Sequence, residues 1–238
     1  MLACAGTAVA QSATELVQKN LAARGGAEKL AAIKTIAFTG KLVVGGEFEL
    51  GYKEVRSRKG GAVRYDSTLQ GMSQVQAWDG TTGWRLDPFQ GRRDAEKMSA
   101  DDARALADDG LIDGPLLASR SGGGTVTYLG REDFDGTDAY KLRVVRPDGA
   151  EYTYYLDPDT YLEIRVVETR TLRGAQQVTE TEFGDYEQVD GVYFPFSIDQ
   201  KSTTFGPFGG SKITIASAQA NAPVVDSLFA MPSAGGSK

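Results

Sequence analysis

Carboxylates are the first groups in this chain whose type and spacing suggest chemistry. The stretch FGDYEQVDGVYFPFSI, Phe183 to Ile198, sets Asp185, Glu187 and Asp190 among five aromatics, with Glu182 just before it. A hydrolase working through paired carboxylates needs two of them in one cleft. Glu182 with Asp185 or Glu187 is the pair on offer here. Asp101/Asp102 and Asp108/Asp109 form two more acidic pairs in SADDARALADD. Their simpler reading is a solvated helix face, with the first pair in the turn the helix dipole favours. LDPDTYLE lacks the D-x-D-x-D-G ligand array of a calcium loop. Asp157-Pro158-Asp159-Thr160 suits a type I turn in which Asp bonds to the backbone.

Other chemistry is scarce. The sequence has no histidine, which removes the commonest general base and metal ligand. SGGG and FGGSK lack the G-x-x-x-x-G-K-[ST] phosphate loop, and no Ser-x-x-Lys opens a helix. We therefore assign no catalytic residue, no metal site and no cofactor, and read the chain as a non-enzyme. A net charge of -6 argues against a nucleic-acid partner, which would require clustered Lys and Arg.

The only cysteine, Cys4, lies in MLACAGTAVAQS. Residues 1–10 read as the last part of a secretory leader, with an A-x-A cleavage site at Ala8-Val9-Ala10. The rival reading is a lipoprotein anchored at Cys4. Cleavage after Ala10 would leave a mature chain without thiols. No later stretch approaches the ~20 apolar residues of a membrane-spanning helix. A soluble exported protein, periplasmic and monomeric, is the expectation.

The elements that must position any site are mostly strands. Ser12 to Arg24 has helical apolar spacing and a Ser12/Glu15 capping box, and Gly25-Gly26 stops it. AEKLAAIK reads as a second short helix or a tight link. From Ile36 the period becomes two. Ile36, Phe38, Leu42 and Val44 face one way in the first strand; Phe48, Leu50 and Tyr52 do so in the second. Ser99 caps a mid-chain helix to Asp109, and LIDGPLLAS follows as an apolar patch broken at Gly114-Pro115. Strands resume after Thr125, with DFDG, PDGA and VDG as turns. About a dozen antiparallel strands and two or three helices result, in one domain over residues 11–232, with 233–238 as a frayed tail.

Ten Tyr, ten Phe and two Trp fall largely on the apolar side of alternating strands. Such a sheet must bury that face by doubling into two sheets, closing into a barrel, or curling round helices. With so few helices to fill it, a curled sheet would leave an apolar cavity. FGDYEQVDGVYFPFSI then reads as a hairpin turning at Asp190-Gly191. Asp185 and Glu187 share its wet face, and Phe194, Phe196 and Ile198 take the other. Pro195 argues for an edge or a bulge.

The order of these signatures carries a resemblance. It comprises a helix ending in ARGG, the AIKTIAFTG strand, hairpins to GWRLDP, DGPLLAS and YLGREDFDGTDAYKLRV. After these come YYLDPDTYLEIRVVET, the FGDYEQVDGVYFPFSI hairpin and a closing NAPVVDSLFAMP. Over roughly Ser12 to Pro232 the chain resembles the LolA/LolB-like superfamily, in particular its outer-membrane-lipoprotein-sorting-like members. The resemblance implies a mainly β (α+β) fold. This would be a strongly curved, incomplete antiparallel β-barrel of about eleven strands, with helices over its open side and an apolar cavity for acyl chains. It also implies a strand arginine that holds the helices closed, with Arg56, Arg58 and Arg64 as candidates, and an exposed apolar loop, with Phe205 and Phe208 in TTFGPFGGSK.

The expected function is a carrier for a lipid, or for the acyl chains of a lipoprotein, with transient contact to membrane or envelope transport proteins. Each buried CH₂ contributes ~0.8 kcal/mol, so a chain of ~12 carbons supplies about 10 kcal/mol before costs. Gly114-Pro115 is the candidate hinge. The expected cavity wall and lid are Phe38, Leu42, Phe48, Leu50, Tyr52, Trp84, Leu116, Leu117, Leu142, Leu156, Ile164, Phe194 and Phe196. An envelope sensor or protein-interaction module is the alternative, and an exported carboxylate-dependent hydrolase the third.

Overall fold

The computed structural model describes residues 12–172, 174–203 and 210–233. Cys4, the leader signature, the Phe205/Phe208 loop and residues 234–238 lie outside the described residues.

Two helices open the chain, α1 (Ala13–Ala23) and α2 (Ala27–Ala32). The Ser12 hydroxyl accepts from the Glu15 N–H, as the capping box predicts. Six strands follow: β1 (Thr35–Val44), β2 (Phe48–Ser57), β3 (Ala62–Leu69), β4 (Met72–Trp78), β5 (Gly83–Leu86) and β6 (Glu96–Lys97). Helices α3 (Ala100–Asp109) and α4 (Gly114–Ala118) come next, with the Ser99 hydroxyl capping α3 through the Asp102 N–H. The second strand set is β7 (Thr125–Phe134), β8 (Thr137–Val145), β9 (Glu151–Leu156), β10 (Glu163–Leu172), β11 (Ala175–Val189), β12 (Val192–Ser202) and β13 (Gly210–Ala220).

All thirteen form one open antiparallel sheet, ordered β6-β5-β4-β3-β2-β1-β13-β12-β11-β10-β9-β8-β7. Thirteen strands replace the eleven expected. Hairpins build each half, and β1 meets β13 in the middle. The edges β6 and β7 are therefore the two strands that α3 and α4 connect, so the helical link crosses the inner face. Glu54 of β2 and Glu168 of β10 line the same cavity on that face. In a flat sheet five strand spacings, about 24 Å, would separate them. The sheet is thus curved round its helices, one of the three ways of burying the apolar face.

The main core joins α1, α2 and α4 to the inner rows of both halves, with Leu16, Ile33, Leu116, Leu142 and Leu156 essentially inaccessible. Small residues set the spacing. A Cβ on Gly83 would come within 2.7 Å of the Ala103 Cβ, so glycine lets α3 lie against β5. Between β1 and β13 the register shifts at Thr39/Gly40. A Cβ on Gly40 would lie 2.1 Å from the Thr214 carbonyl oxygen and 2.9 Å from the Ile215 Cα. Gly40→Ala is expected to cost about 1–3 kcal/mol, read as a lower urea midpoint at unchanged slope.

The outer face has a cover that the alternation did not reveal. Val55 and Ala62 pack against Phe229, and Val75, Ala77 and Trp84 against Met231. The Trp84 indole N–H donates to the Phe229 carbonyl (2.7 Å), and Arg64 Nη1 donates to the Leu228 carbonyl (3.0 Å). Trp84 thus holds the C-terminal segment on the outside of the sheet and is no part of the cavity wall. Arg64 fastens the same segment and not the helices.

Candidate ligand cavity

A cavity of about 220 Å³ lies between the inner face and the α3–α4 segment. Its apolar wall is Phe38, Phe183, Phe194, Ile198 and Ile215, faced by Ile112 and Leu116 from the helical side. Phe38 and Phe194 meet edge to face, ring centroids 5.6 Å apart. The pleat puts Phe194 and Ile198 on one side of β12, as the hairpin reading requires. Pro195 lies in the part of β12 that pairs β11 alone, a local edge within a strand otherwise interior to the sheet. Its lack of an N–H is tolerated because β12 pairs β13 only from Ser197 to Lys201.

Of the thirteen predicted wall residues, Phe38, Leu116 and Phe194 line this cavity. Leu117, Leu142, Leu156 and Phe196 are buried in the surrounding core, with Leu42 half-buried against it. Leu50 and Tyr52 occupy the inner row of β2 away from the lining, and the Tyr52 hydroxyl donates to Glu54 Oε2 (2.6 Å). Three placements are corrected. Trp84 is on the outer face. Phe48 is 64% exposed, because the β1–β2 hairpin reaches beyond the helices. Ile164 is the extra residue at the register shift between Glu163 and Arg165, so Glu163 takes the inward position opposite Leu156.

The larger departure is ionic. The expected cavity was apolar, yet guanidinium and carboxylate groups form one side of it. Arg170, 7% exposed, donates to Glu168 (2.8 Å), Asp148 (2.9 Å), Asp108 (2.7 Å) and the Tyr152 hydroxyl (2.9 Å). Asp108 also accepts from Arg146 (2.8 Å) and Tyr152 (2.9 Å). The last turn of α3 is thereby pinned to Arg146, just after β8, and to β9 and β10, and Asp108 is no solvated residue. On β2, Arg56 pairs with buried Glu54. Burial disfavours the Arg56 charge, but the Glu54 carboxylate outweighs it and holds the guanidinium more firmly protonated. Arg24, at the end of α1, pairs with Glu163 (3.5 Å), donates to the Tyr193 carbonyl (3.1 Å) and lies over the Phe194 ring. Arg58 makes a two-pronged pair with Asp113 (2.8 and 2.9 Å) and bonds the Leu30 and Ile33 carbonyls. The arginines that tie the helical segments down are therefore Arg24, Arg56, Arg58, Arg146 and Arg170, Arg56 of β2 through the Leu111 carbonyl (3.5 Å); of the three candidates Arg56 and Arg58 are among them.

Asp109 stands apart. It lines the cavity and makes no hydrogen bond or ion pair among the described residues. Its residue surface is exposed, as the solvated-face reading expects, and desolvation on its cavity side with the nearby Glu168 charge raises its carboxyl above the ordinary range. By contrast Asp185 and Glu187 are exposed, and Glu182 reaches out towards Lys201. The Glu182 pairs that suggested hydrolysis share no cleft. Between those exposed acids Tyr186 turns inward at the positive-φ Asp185, and its hydroxyl donates to Glu163.

One curved antiparallel sheet with helices inside it, and a cavity between the two, define an α+β half-barrel. Solved structures of the same build include a LolA superfamily protein from Nitrosomonas europaea, 12% identical, with a TM-score of 0.60 over 93% of this chain and 98% of that one. A domain described as outer membrane lipoprotein-sorting, from Vibrio parahaemolyticus, is 13% identical at TM-score 0.56, covering 90% of this chain and 97% of that one. A DUF1329 family protein from Desulfovibrio piger is 11% identical at TM-score 0.56, covering 92% and 98%. The chain has the LolA-like fold. No protein-family model and no curated protein matches its sequence. No helix among the described residues is long and apolar enough to cross a membrane.

Proposed function

We propose that this protein is a periplasmic carrier that holds a lipid, or the acyl part of a lipoprotein, inside the half-barrel. The observation that carries the reading is the interior cavity, with Phe38, Phe183, Phe194 and Ile198 as a continuous apolar wall beneath the helices. The fold, shared with a domain described as lipoprotein-sorting, supports it. Of the cavity carboxylates, Asp108, Asp113 and Glu163 hold helical segments to the sheet through arginine, which favours a binding role over hydrolysis. At about 220 Å³ the space is below the roughly 300–1,000 Å³ of small-molecule sites, so a long chain enters only as the helices shift. Gly114, at φ 74°, starts α4 and is the hinge of that movement. Exposed Val44, Phe48 and Met72 cluster at one end of the sheet, a surface suited to transient contact with a membrane or transport protein.

The test is titration of delipidated protein with an environment-sensitive fluorescent fatty acid, alongside native mass spectrometry of protein purified from its host's envelope. One-to-one binding near micromolar Kd, about -8 kcal/mol, is expected. Ile198→Trp, which fills the cavity from its half-buried wall, should weaken binding at least about tenfold while the protein stays folded. A wild-type protein that takes up no lipid, or a tryptophan variant that binds as well, would sink the reading.

A further inference from the structure

We propose that the free edge of β7 and the α1 face beside it form a groove for an extended peptide, which adds a fourteenth strand to the sheet. The peptide carries apolar side chains at alternate positions and an acidic residue at its C-terminal end. This site lies outside the interior cavity and does not rest on the lipid reading.

The two edges of the sheet are unequal. β6 is two residues long and both are charged, Glu96 and Lys97. β7 is ten residues long and pairs only β8. Edge strands are ordinarily blunted by charge, proline or a bulge, because their spare N–H and C=O groups would otherwise pair with another chain. In β7 those devices sit in the second half: the register shift at Leu129, then Arg131, Glu132 and Asp133. Residues Thr125 to Tyr128 have none of them. Among the described residues, the backbone of these four makes no hydrogen bond beyond the β8 ladder.

The open half is also where a groove forms. A hollow of about 210 Å³ lies beside it, between α1 and the start of β7. Buried Val17 and half-buried Ala13 and Val126 make its floor, and exposed Thr14, Gln18 and Arg120 its rim. Val126 and Tyr128 share the inner side of β7. A strand added along Thr125 to Tyr128 turns every second side chain to that side, and one of them enters the hollow. Main-chain pairing then supplies affinity and the hollow supplies selectivity.

Charge sets the partner. Among the described residues Arg120 is the only charged group lining the hollow. An acidic side chain is favoured there and a basic one repelled. Arg120 is exposed and solvated, so it contributes selectivity rather than most of the affinity. Antiparallel pairing, as between β7, β8 and β9, puts the acid at the C-terminal end of the peptide, beside Gly124. A second copy of this chain is the poorer occupant. Pairing Thr125 to Tyr128 with themselves sets the bulged Leu129 of one copy opposite Gly124 of the other and brings Arg131 towards Arg120.

The probe is the peptide SVTVTVTES, fluorescein-labelled at its N-terminus and amidated at its C-terminus, titrated by anisotropy. We expect a Kd of about 0.1 mM or tighter. Replacing its glutamate by lysine should weaken binding about fivefold at low salt, and Arg120→Glu should reverse that preference. Placing Pro-Pro at its central Val-Thr should abolish binding, since one of the two prolines removes a donor facing β7. Thr14→Trp fills the hollow from the exposed face of α1 and should weaken binding at least about fivefold, with thermal unfolding unchanged. No binding, or binding that survives Pro-Pro or Thr14→Trp, overturns the groove. A preference that Arg120→Glu leaves unchanged overturns the acidic partner. A doubled mass in light scattering that Thr127→Lys abolishes would give the edge to a second copy and overturn the peptide. Fatty-acid uptake by the interior cavity is measured separately, so its failure leaves this groove standing.

Discussion

Arg170→Ala is expected to destabilise the protein by about 3–5 kcal/mol, lowering Tm by roughly 6–20 °C. The guanidinium is 7% exposed and spends its donors on Asp108, Asp148, Glu168 and Tyr152. Its loss leaves Glu168 with only the Tyr152 hydroxyl at 3.3 Å, and Asp108 with Arg146 and Tyr152. The cost comes from these carboxylates rather than from the lost arginine contacts, because a buried charge without its partner is far worse than a neutral group. Arg170→Met/Asp108→Asn should therefore lose less than the sum of the single changes. Arg104→Ala is the control on the same helix. Its pair with Asp101 is 57% and 36% exposed, and its removal should change stability by less than about 1 kcal/mol. Thermal and urea unfolding check each of these variants. A loss below 1 kcal/mol for Arg170→Ala would mean that water relaxes the network.

That network marks the boundary of what the sequence discloses. Caps and turns are local chemistry and were readable. Ser12 and Ser99 cap their helices, Asp157 accepts from the Asp159 and Thr160 N–H groups, and Asp190-Gly191 adopts positive φ at both positions. The alternation in β2 was readable as far as Tyr52. It continues in phase through Glu54 and Arg56, and charged residues in the apolar register were the available sign of an ionic interior. The same holds for Glu168 and Arg170 after Val166. Asp108 gave no such sign. A solvated and a buried acid at a helix end look alike until the strand carrying Arg170 is placed beside it. Trp84 was lost for a related reason. Its row is covered by Phe229, 145 residues away in the chain, and periodicity says nothing of such a partner. Ile164 was misplaced by a single-residue register shift, which inverts every inward assignment at that point.

Arg24→Ala should cost about 3 kcal/mol, with the damage confined to the helices over the cavity. Arg24 joins four elements. Its own helix is α1; its side chain reaches Glu163 on β10, the Tyr193 carbonyl on β12 and the Ile112 carbonyl before α4. Its backbone carbonyl also accepts from the Tyr193 N–H (3.0 Å), a bond the substitution leaves in place. What is lost is the charge facing Glu163, which keeps only the Tyr186 hydroxyl. Arg24→Ala/Glu163→Gln should therefore recover at least about half of the loss, since a neutral amide is cheaper to bury than an orphaned carboxylate. Hydrogen exchange should show where the tether acted. Amides of α1 and of residues 111–118 are expected to lose protection, while β4 and β5, which touch none of these groups, keep theirs. A uniform loss across the sheet would show that Arg24 supports the whole fold rather than the closed position of its helices. If the loosening is local, a bound acyl chain should also leave faster, because the helices that cover it are the ones set free.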